Sequence, residues 1–334
     1  MQKGLDVTKC RMGRVIAVVV AAVLMPLQSV WAEQSDDFEQ WRQAFREEAL
    51  EKGISAAIFD EAFKGVKPIP KVVKLDRKQP EFTQTLDQYL TARISKDRVK
   101  RGKKKFAENK ALLTKVANEF GVQPRFLVSF WGMETNYGRF TGGYSVIAAI
   151  TTLAFDGRRS QFFRNQLLDA LHILEEGHIT PSQMKGSWAG AMGQAQFMPS
   201  TFRAYAVDGD GDGKIDIWNS KADVFSSAAN YLSKVGWTDD LTWGREVEIP
   251  KTIDIAEANL KIKKPLSEWQ AMGIRRLEGR DLPERDVTAS LVLPDGNVDG
   301  RAYLVYENYH AILDWNRSHK FAVAVGTLAD RIVR

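Results

Sequence analysis

From Asp36 to about Gly236, apolar residues recur at intervals of three and four, as in Phe38, Trp41 and Phe45 or Leu167, Leu168, Leu171 and Leu174. That period puts them on one face of successive helices. After Trp243 the texture changes. The runs Arg245 to Ile249, Leu260 to Ile262, Ala289 to Leu293 and Ala302 to Tyr306 alternate and are separated by Pro, Gly and Asp, which predicts short strands. Helical spacing returns from His310 to Arg334. The pattern predicts an α+β fold, predominantly α-helical, with a small β-containing insertion and a C-terminal helix packed back on the core. Pro68, Pro70 and Pro80 divide the early part into a short helical segment, a Pro-rich connection and a longer helix starting near Phe82. Pro124 stands where a first helical turn would begin and Gly138 where a helix would end. A hydrophobic content of 44% with 17 Phe is ample for a packed core.

The first 32 residues stand apart. Lys3, Lys9, Arg11 and Arg14 precede an apolar run from Val15 to Leu27, and Val30-Trp31-Ala32 follows as a signal-peptidase site. Cleavage after Ala32 is expected, with an uncleaved N-terminal anchor as the alternative; the run is short for a permanent span, which takes roughly 20 apolar residues. Cys10, the only cysteine, would leave with this segment, so no disulfide or thiol nucleophile is expected in the mature chain. The segment carries four Lys/Arg and one Asp, so the formal charge of +5 falls to +5 − 3 = +2 without it. That balance gives no reason to expect nucleic acid as a partner. Lys96, Arg98, Lys100, Arg101, Lys103, Lys104 and Lys105 form a local basic run, read either as a solvated helix face or as attraction to an anionic surface such as cell wall.

Several chemistries are disfavoured by what is missing: no G-x-S-x-G, H-E-x-x-H, P-loop or dinucleotide-binding glycine pattern, and no His pair at metal-ligand spacing. What remains is Trp131 to Arg139. The apolar run Phe126, Leu127, Val128, Phe130 and Trp131 predicts a buried helix that ends at Glu134. Apolar neighbours and the negative end of the helix dipole would raise the pKa of its carboxyl, as protonation of a glycosidic oxygen requires. The alternative is an ion pair of Glu134 with Arg139, Arg158 or Arg159. The stretch from Lys185 to Ser200 is rich in Gly and Ala interleaved with Trp, Met, Gln and Phe, which suits backbone close to a ligand or close helix packing.

At these segments the chain resembles the lytic murein transglycosylase B family. The motifs are ETNYGR from Glu134, the pair Arg158-Arg159, GSWAGAMGQAQFMPS from Gly186, AVDGDGDG from Ala206, and Ala229-Asn230-Tyr231. The likeness runs from Asp76-Arg77-Lys78, with Lys in place of the family's Gln, to Leu328-Ala329-Asp330-Arg331-Ile332. It implies a lysozyme-like catalytic core over 111–243, braced by a helical segment over 33–110, a small β-rich part over 244–309 and a C-terminal helix over 310–334. No further wall-binding module is expected beyond Arg334.

The resemblance also implies chemistry. Glu134 would be the sole acid/base, cleaving the bond between N-acetylmuramic acid and N-acetylglucosamine in peptidoglycan and leaving a 1,6-anhydro end. Ser187, Gln196, Tyr231 and Asn316 would line the saccharide cleft, with Arg158, Arg159, Tyr89, Phe197 and Phe321 as weaker matches to contacting positions. Family members often carry Tyr where this chain has Trp315 and Phe321, so hydroxyl contacts would be absent there while ring stacking survives. No second carboxylate stands out, since Asp156 lies beside the Arg pair and Asp169 on an exposed helix face. A hydrolytic muramidase with an unrecognised Asp, or a non-catalytic peptidoglycan-binding scaffold, are the competing readings. Peptidoglycan strands are the expected partner in the periplasm, cell-wall synthesis or remodelling proteins are further candidates, and no stable membrane span is expected in the mature chain.

Asp208-Gly209-Asp210-Gly211-Asp212-Gly213-Lys214-Ile215-Asp216 follows the opening of an EF-hand loop, with acids at positions 1, 3, 5 and 9 and Gly at 6. Position 12 is Asn219 rather than Glu; the family resemblance favours Asp223 as the replacement. The loop is expected to hold a structural Ca2+ through Asp208, Asp210, Asp212, Lys214, Asp216 and Asp223, the alternative being an Asp/Gly-rich surface turn. No cofactor is expected for catalysis.

Overall fold

The computed structural model describes residues 27–77 and 84–334, with side chains placed from residue 36 onward. The segment read as a signal peptide therefore lies mostly outside the described residues, as do Lys78 and Phe82. The chain divides into a short unit ending at Phe45 and a main unit from Arg46 to Arg334. The helix α1 (Leu27–Glu51) begins in the first, where the rings of Phe38, Trp41 and Phe45 stack in sequence with centroids 6.1 and 5.3 Å apart.

In the main unit helices dominate, and local chemistry sets their ends. α2 (Ala56–Ala62) starts at Ser55, whose hydroxyl accepts the Ile58 N–H. α3 (Pro70–Arg77) opens on a proline, which needs no N–H partner there. α4 (Leu86–Arg93) starts four residues later than the expectation near Phe82, because Thr85 and Gln88 form a capping box. Ser95 caps α5 (Lys96–Glu108), and α6 (Lys110–Phe120) ends on Gly121 in the left-handed conformation, φ 70°. α7 (Pro124–Thr135) follows, buried along almost its whole length.

A two-residue ladder, β1 (Tyr144–Ser145) with β2 (Lys185–Gly186), flanks the helical pair α8 (Val146–Phe155) and α9 (Ser160–Glu175). α10 (Pro199–Tyr205) and α11 (Lys221–Lys234) complete this layer. α5 packs tightly on α7 and the last helix around Gly102. A Cβ there would lie 2.5 Å from the Tyr137 hydroxyl and 2.8 Å from Ile332.

The later part is a five-stranded antiparallel sheet in the order β4 (Lys264–Pro265), β6 (Thr288–Val292), β7 (Ala302–Val305), β3 (Gly244–Glu248), β5 (Arg275–Arg276). Its core gathers Leu291, Leu304 and Ile274 around Trp269 of α12 (Leu266–Ala271), whose indole donates to the Ala289 carbonyl at 2.9 Å. The expected strand at Leu260–Ile262 is a turn instead, closed by Ile262 N–H to Asn259 O at 3.0 Å. Ile262 packs against the sheet core from this turn without strand pairing. The C-terminal stretch is two helices, α13 (Glu307–Trp315) and α14 (His319–Val333), separated where Ser318 caps the second. α14 rejoins the sheet at Trp243, whose indole donates to Asp330 at 3.2 Å.

Candidate active site

Glu134 is the next-to-last residue of α7. The helix is stopped by three consecutive residues of positive φ, Asn136 at 52°, Tyr137 at 64° and Gly138 at 78°. Two of these carry side chains, so the turn is strained and must be held from outside. Arg101 of α5 donates to Asn136 Oδ1 at 2.9 Å, and the Tyr137 hydroxyl donates to Arg98 O at 2.9 Å. Thr135 Oγ1 donates to Gln194 O at 3.1 Å and accepts the Gly138 N–H at 3.0 Å. Gln194 in turn accepts from the Trp131 indole at 2.8 Å and donates to Trp218 O at 2.8 Å, so it ties α7 to the segment following the acidic loop. Gly138 has to be glycine here, since a Cβ would strike the Gln194 amide.

Glu134 is half-buried as a residue, and Leu127, Phe130, Trp131, Ala195, Phe225 and Trp315 surround it. Burial among these groups pushes its pKa up to about 7. Two weaker effects pull the other way: a hydrogen bond from Trp315 and the charge of Arg93. The bond is specific, Trp315 Nε1 donating to Glu134 Oε1 at 2.8 Å. The Trp315 ring is fixed by Phe130, Tyr231 and Phe197 at centroid distances of 4.5, 5.1 and 5.3 Å.

Neither ion-pair alternative for Glu134 occurs among the described residues. Arg158 and Arg159 both clasp Asp76, which is 2% exposed; Arg158 Nε donates to its carboxylate at 2.7 Å and Nη2 to its carbonyl at 3.0 Å. The clasp holds the Asp76 carboxyl below the usual carboxylate range, the Arg158 hydrogen bond being the main cause. These two arginines thus pin α3 to the corner between α8 and α9, beside a further pair, Arg77 with Asp156 at 2.9 Å. Asp169 is likewise engaged, with Arg203 at 2.8 Å. No carboxylate other than Glu134 lines the pocket described above.

The remaining candidates fall into two groups. Ser187 Oγ accepts the N–H groups of Ala189 and Ala191 at 3.3 and 3.0 Å, which leaves its hydroxyl proton to donate elsewhere. Gln196, at φ 52°, spends its amide N–H groups on Thr141 O and Gly193 O, leaving Oε1 as an acceptor. Asn316 follows Trp315 directly and is exposed. The Tyr231 ring stands beside Trp315. Tyr89 lies beneath Arg93, whose guanidinium sits 5.5 Å from its ring, and so belongs to the charged edge near Glu134. Phe197 and Phe321, by contrast, are 3% and 6% exposed and form the floor behind Trp315 and Phe130 more than a face for a ligand.

Nothing in the local sequence pairs Trp315 with Glu134 or marks Gln194 and Arg93 as its neighbours. Gln194 lies inside the Gly- and Ala-rich stretch from Gly186 to Ser200, whereas the Trp315 bond spans 181 positions and leaves no local signal.

In the acidic loop, Asp208, Asp210 and Asp212 bring carboxylate oxygens within 4.8 Å of one another. Asp208 also accepts the N–H groups of Gly211 and Gly213 at 2.6 and 2.8 Å. Converging like charges on hard oxygen donors fit Ca2+. Asp223 is oriented otherwise: its two oxygens accept the N–H groups of Gly209 and Asp216 at 2.8 and 2.6 Å, so it braces both ends of the loop. Asp216 Oδ1 is used by Trp218 and Asn219 N–H, both at 2.9 Å. Lys214 has only its carbonyl to offer.

Residues 37–330 match the family described as the transglycosylase SLT domain. The chain belongs to that family. It is 30% identical over 245 residues to membrane-bound lytic murein transglycosylase B of Escherichia coli (strain K12), an alignment covering 72% of this chain and 65% of that protein. Among solved structures, SltB3 from Pseudomonas aeruginosa in complex with NAG-NAM-pentapeptide superimposes with a TM-score of 0.86 at 48% identity, covering 89% of this chain and 79% of that one. The Escherichia coli lytic transglycosylase Slt35 in complex with calcium gives a TM-score of 0.75 at 28% identity, covering 87% of this chain and 92% of that one. These likenesses make the fold a predominantly helical α+β architecture of the lysozyme-like kind. No helix among the described residues is long and apolar enough to cross a membrane.

Proposed function

We propose that this chain is a lytic transglycosylase that cuts peptidoglycan strands between N-acetylmuramic acid and N-acetylglucosamine. The observation that carries this reading is the carboxyl of Glu134, poised at about 7 in an apolar wall, with no second carboxylate among the described residues that line its pocket. A hydrolytic glycosidase ordinarily uses two carboxylates. One suffices when the sugar supplies the nucleophile. Glu134 gives its proton to the glycosidic oxygen and the muramoyl N-acetyl carbonyl stabilises the cationic carbon. As a base, Glu134 then takes the C6 hydroxyl proton while that oxygen closes a 1,6-anhydro ring. Water is not consumed.

The Trp315 bond orders the protons. Indole N–H is a donor only, so Oε1 remains an acceptor and the acid proton resides on Oε2. Ser187, with its hydroxyl proton uncommitted, is assigned to the N-acetyl carbonyl, and Asn316 to the reacting sugar. Support from relatives is chemical: SltB3 has been solved with NAG-anhNAM-pentapeptide, which contains an anhydro sugar. In this reading the enzyme is exported to the periplasm and cleaved after Ala32, and Ca2+ in the 208–216 loop is structural, without a catalytic cofactor. The core over 111–243 works between the helical segment 33–110, the β-rich part 244–309 and the C-terminal helices. Glu134→Gln is expected to lower cleavage roughly 10²–10⁴-fold while glycan binding, followed by calorimetry, persists. Cleavage at the wild-type rate would overturn the assignment.

A further inference from the structure

We infer that the basic face formed by α5 and the C-terminal end of α14 docks on an anionic lipid surface, through phosphate headgroups. The basic run of α5 is divided by the structure into three sets. Arg98 and Arg101 turn inward to Arg93 O and Asn136 Oδ1, at 2.6 and 2.9 Å. Lys104 and Lys105 are paired with Glu108 at 3.7 and 2.8 Å. Lys96, Lys100 and Lys103 remain, spaced four and three apart on one helix face, exposed, and without an ion pair among the described residues. To this face α14 brings Arg331 and Arg334. The five cations and Val99 line one depression of about 460 Å³ that has no Asp or Glu side chain among its lining residues.

A second depression of about 530 Å³ shares Arg331 and Arg334 and adds further arginines, among them Arg245, Arg276 and Arg280. Its acids are already answered, Glu246 by Arg301 at 3.2 Å and Asp330 by Arg125 at 3.1 Å. Val333 and Leu277 on its rim are 49% and 41% exposed.

Lysine and arginine side chains donate hydrogen bonds and accept none. The first depression therefore suits a partner rich in acceptors and poor in donors. Phosphate meets that description; sugars and peptides bring hydroxyl and amide donors that would find no side-chain acceptor and no aromatic face there. Exposed apolar side chains beside clustered cations match the boundary between headgroups and acyl chains. Orientation agrees with the proposed function, on which only this point rests. Phe321, near the start of α14, backs the cleft floor, and Arg331 lies ten residues on, about 15 Å along the helix at 1.5 Å per residue. Docking by this end leaves the cleft free for glycan.

The test is co-sedimentation with vesicles of phosphatidylcholine alone or of equal phosphatidylcholine and phosphatidylglycerol, read without glycan and so independently of cleavage. All proteins are prepared identically, so the apolar N-terminal run contributes equally to each. Binding is expected on the anionic vesicles only, weakening as salt rises. Each cation is worth about 1 kcal/mol at such a surface, or about fivefold. Lys100→Gln with Lys103→Gln should therefore weaken binding by about 25-fold, while Lys104→Gln with Lys105→Gln, the same charge change on the paired side of the helix, should change it by less than about threefold. Equal binding to both vesicle types, or equal loss in the two double variants, would overturn the proposal. So would saturable heat with inorganic phosphate in the absence of vesicle binding, which points to a soluble phosphate. Retention on purified sacculi that depends on Lys100 and Lys103, without vesicle binding, would assign the patch to wall carboxylates and equally overturn it.

Discussion

The protonation of Glu134 is governed by burial on one side and the Trp315 hydrogen bond and Arg93 charge on the other, and burial wins. With a pKa of about 7, half the molecules carry the acid proton near neutral pH, so cleavage should decline as pH rises above 7. Trp315→Phe removes a donor that favours the anion. The alkaline limb of the pH–rate profile should then move to higher pH; an unmoved limb would separate Trp315 from Glu134 ionisation. The same shift has a cost in stability. The raised folded-state pKa means that the favourable contribution is complete below the unfolded value near 4.5 and lost as pH rises through about 7. The difference is at most about 3.5 kcal/mol, at roughly 1.4 kcal/mol per pKa unit. Glu134→Gln, which never charges, should therefore raise the melting temperature more at pH 8 than at pH 5, and an equal change at both would contradict the desolvated carboxyl. The helix-end position of Glu134 was legible in the local sequence. Its choice of Trp315 over Arg158 or Arg159 was not, because those arginines answer to Asp76, more than eighty positions upstream.

Among elements, the acidic loop joins the site to the helical layer. Gln194 reaches its far side through Ile217 O and Trp218 O, each at 2.8 Å, and Asp223 closes it onto α11. A cation shared by Asp208, Asp210 and Asp212 would relieve their mutual repulsion, so chelation should lower the melting temperature, with calcium restoring it. Asp208→Asn should reduce that calcium response. A melting curve indifferent to both chelator and calcium would exclude the ion. The EF-hand opening was readable because its donors are contiguous, whereas the bracing role of Asp223 depends on where α11 starts. Elsewhere local signals marked what they physically control. Pro124 and the residues after Glu134 bounded α7, and alternation marked β3, β6 and β7. Leu260 to Ile262 misled because Ile262 packs on the core from a turn, and His310 to Arg334 concealed a break at Ser318, where a serine cap interrupts otherwise continuous periodicity.

For the whole molecule, a helical layer and a five-stranded sheet are locked together by α14, which backs the cleft at Phe321 and meets the sheet through Trp243. That fixes Trp315, in the helix before it, against α7 on the other side of the cleft. In the proposed reaction such a frame would hold one carboxyl in place as acid and then as base, with the sugar's own C6 hydroxyl taking the place of water and of a second carboxylate. The order of helices and strands was largely visible in the changing period of the sequence, but the closure of the site by residues from opposite ends of the chain was not. The most direct measurement is the mass of glycan fragments released from purified sacculi. Anhydromuramoyl ends, lighter by one water than hydrolysed ends, are expected throughout; reducing muramic acid ends as the main product would contradict a single-carboxyl transglycosylase.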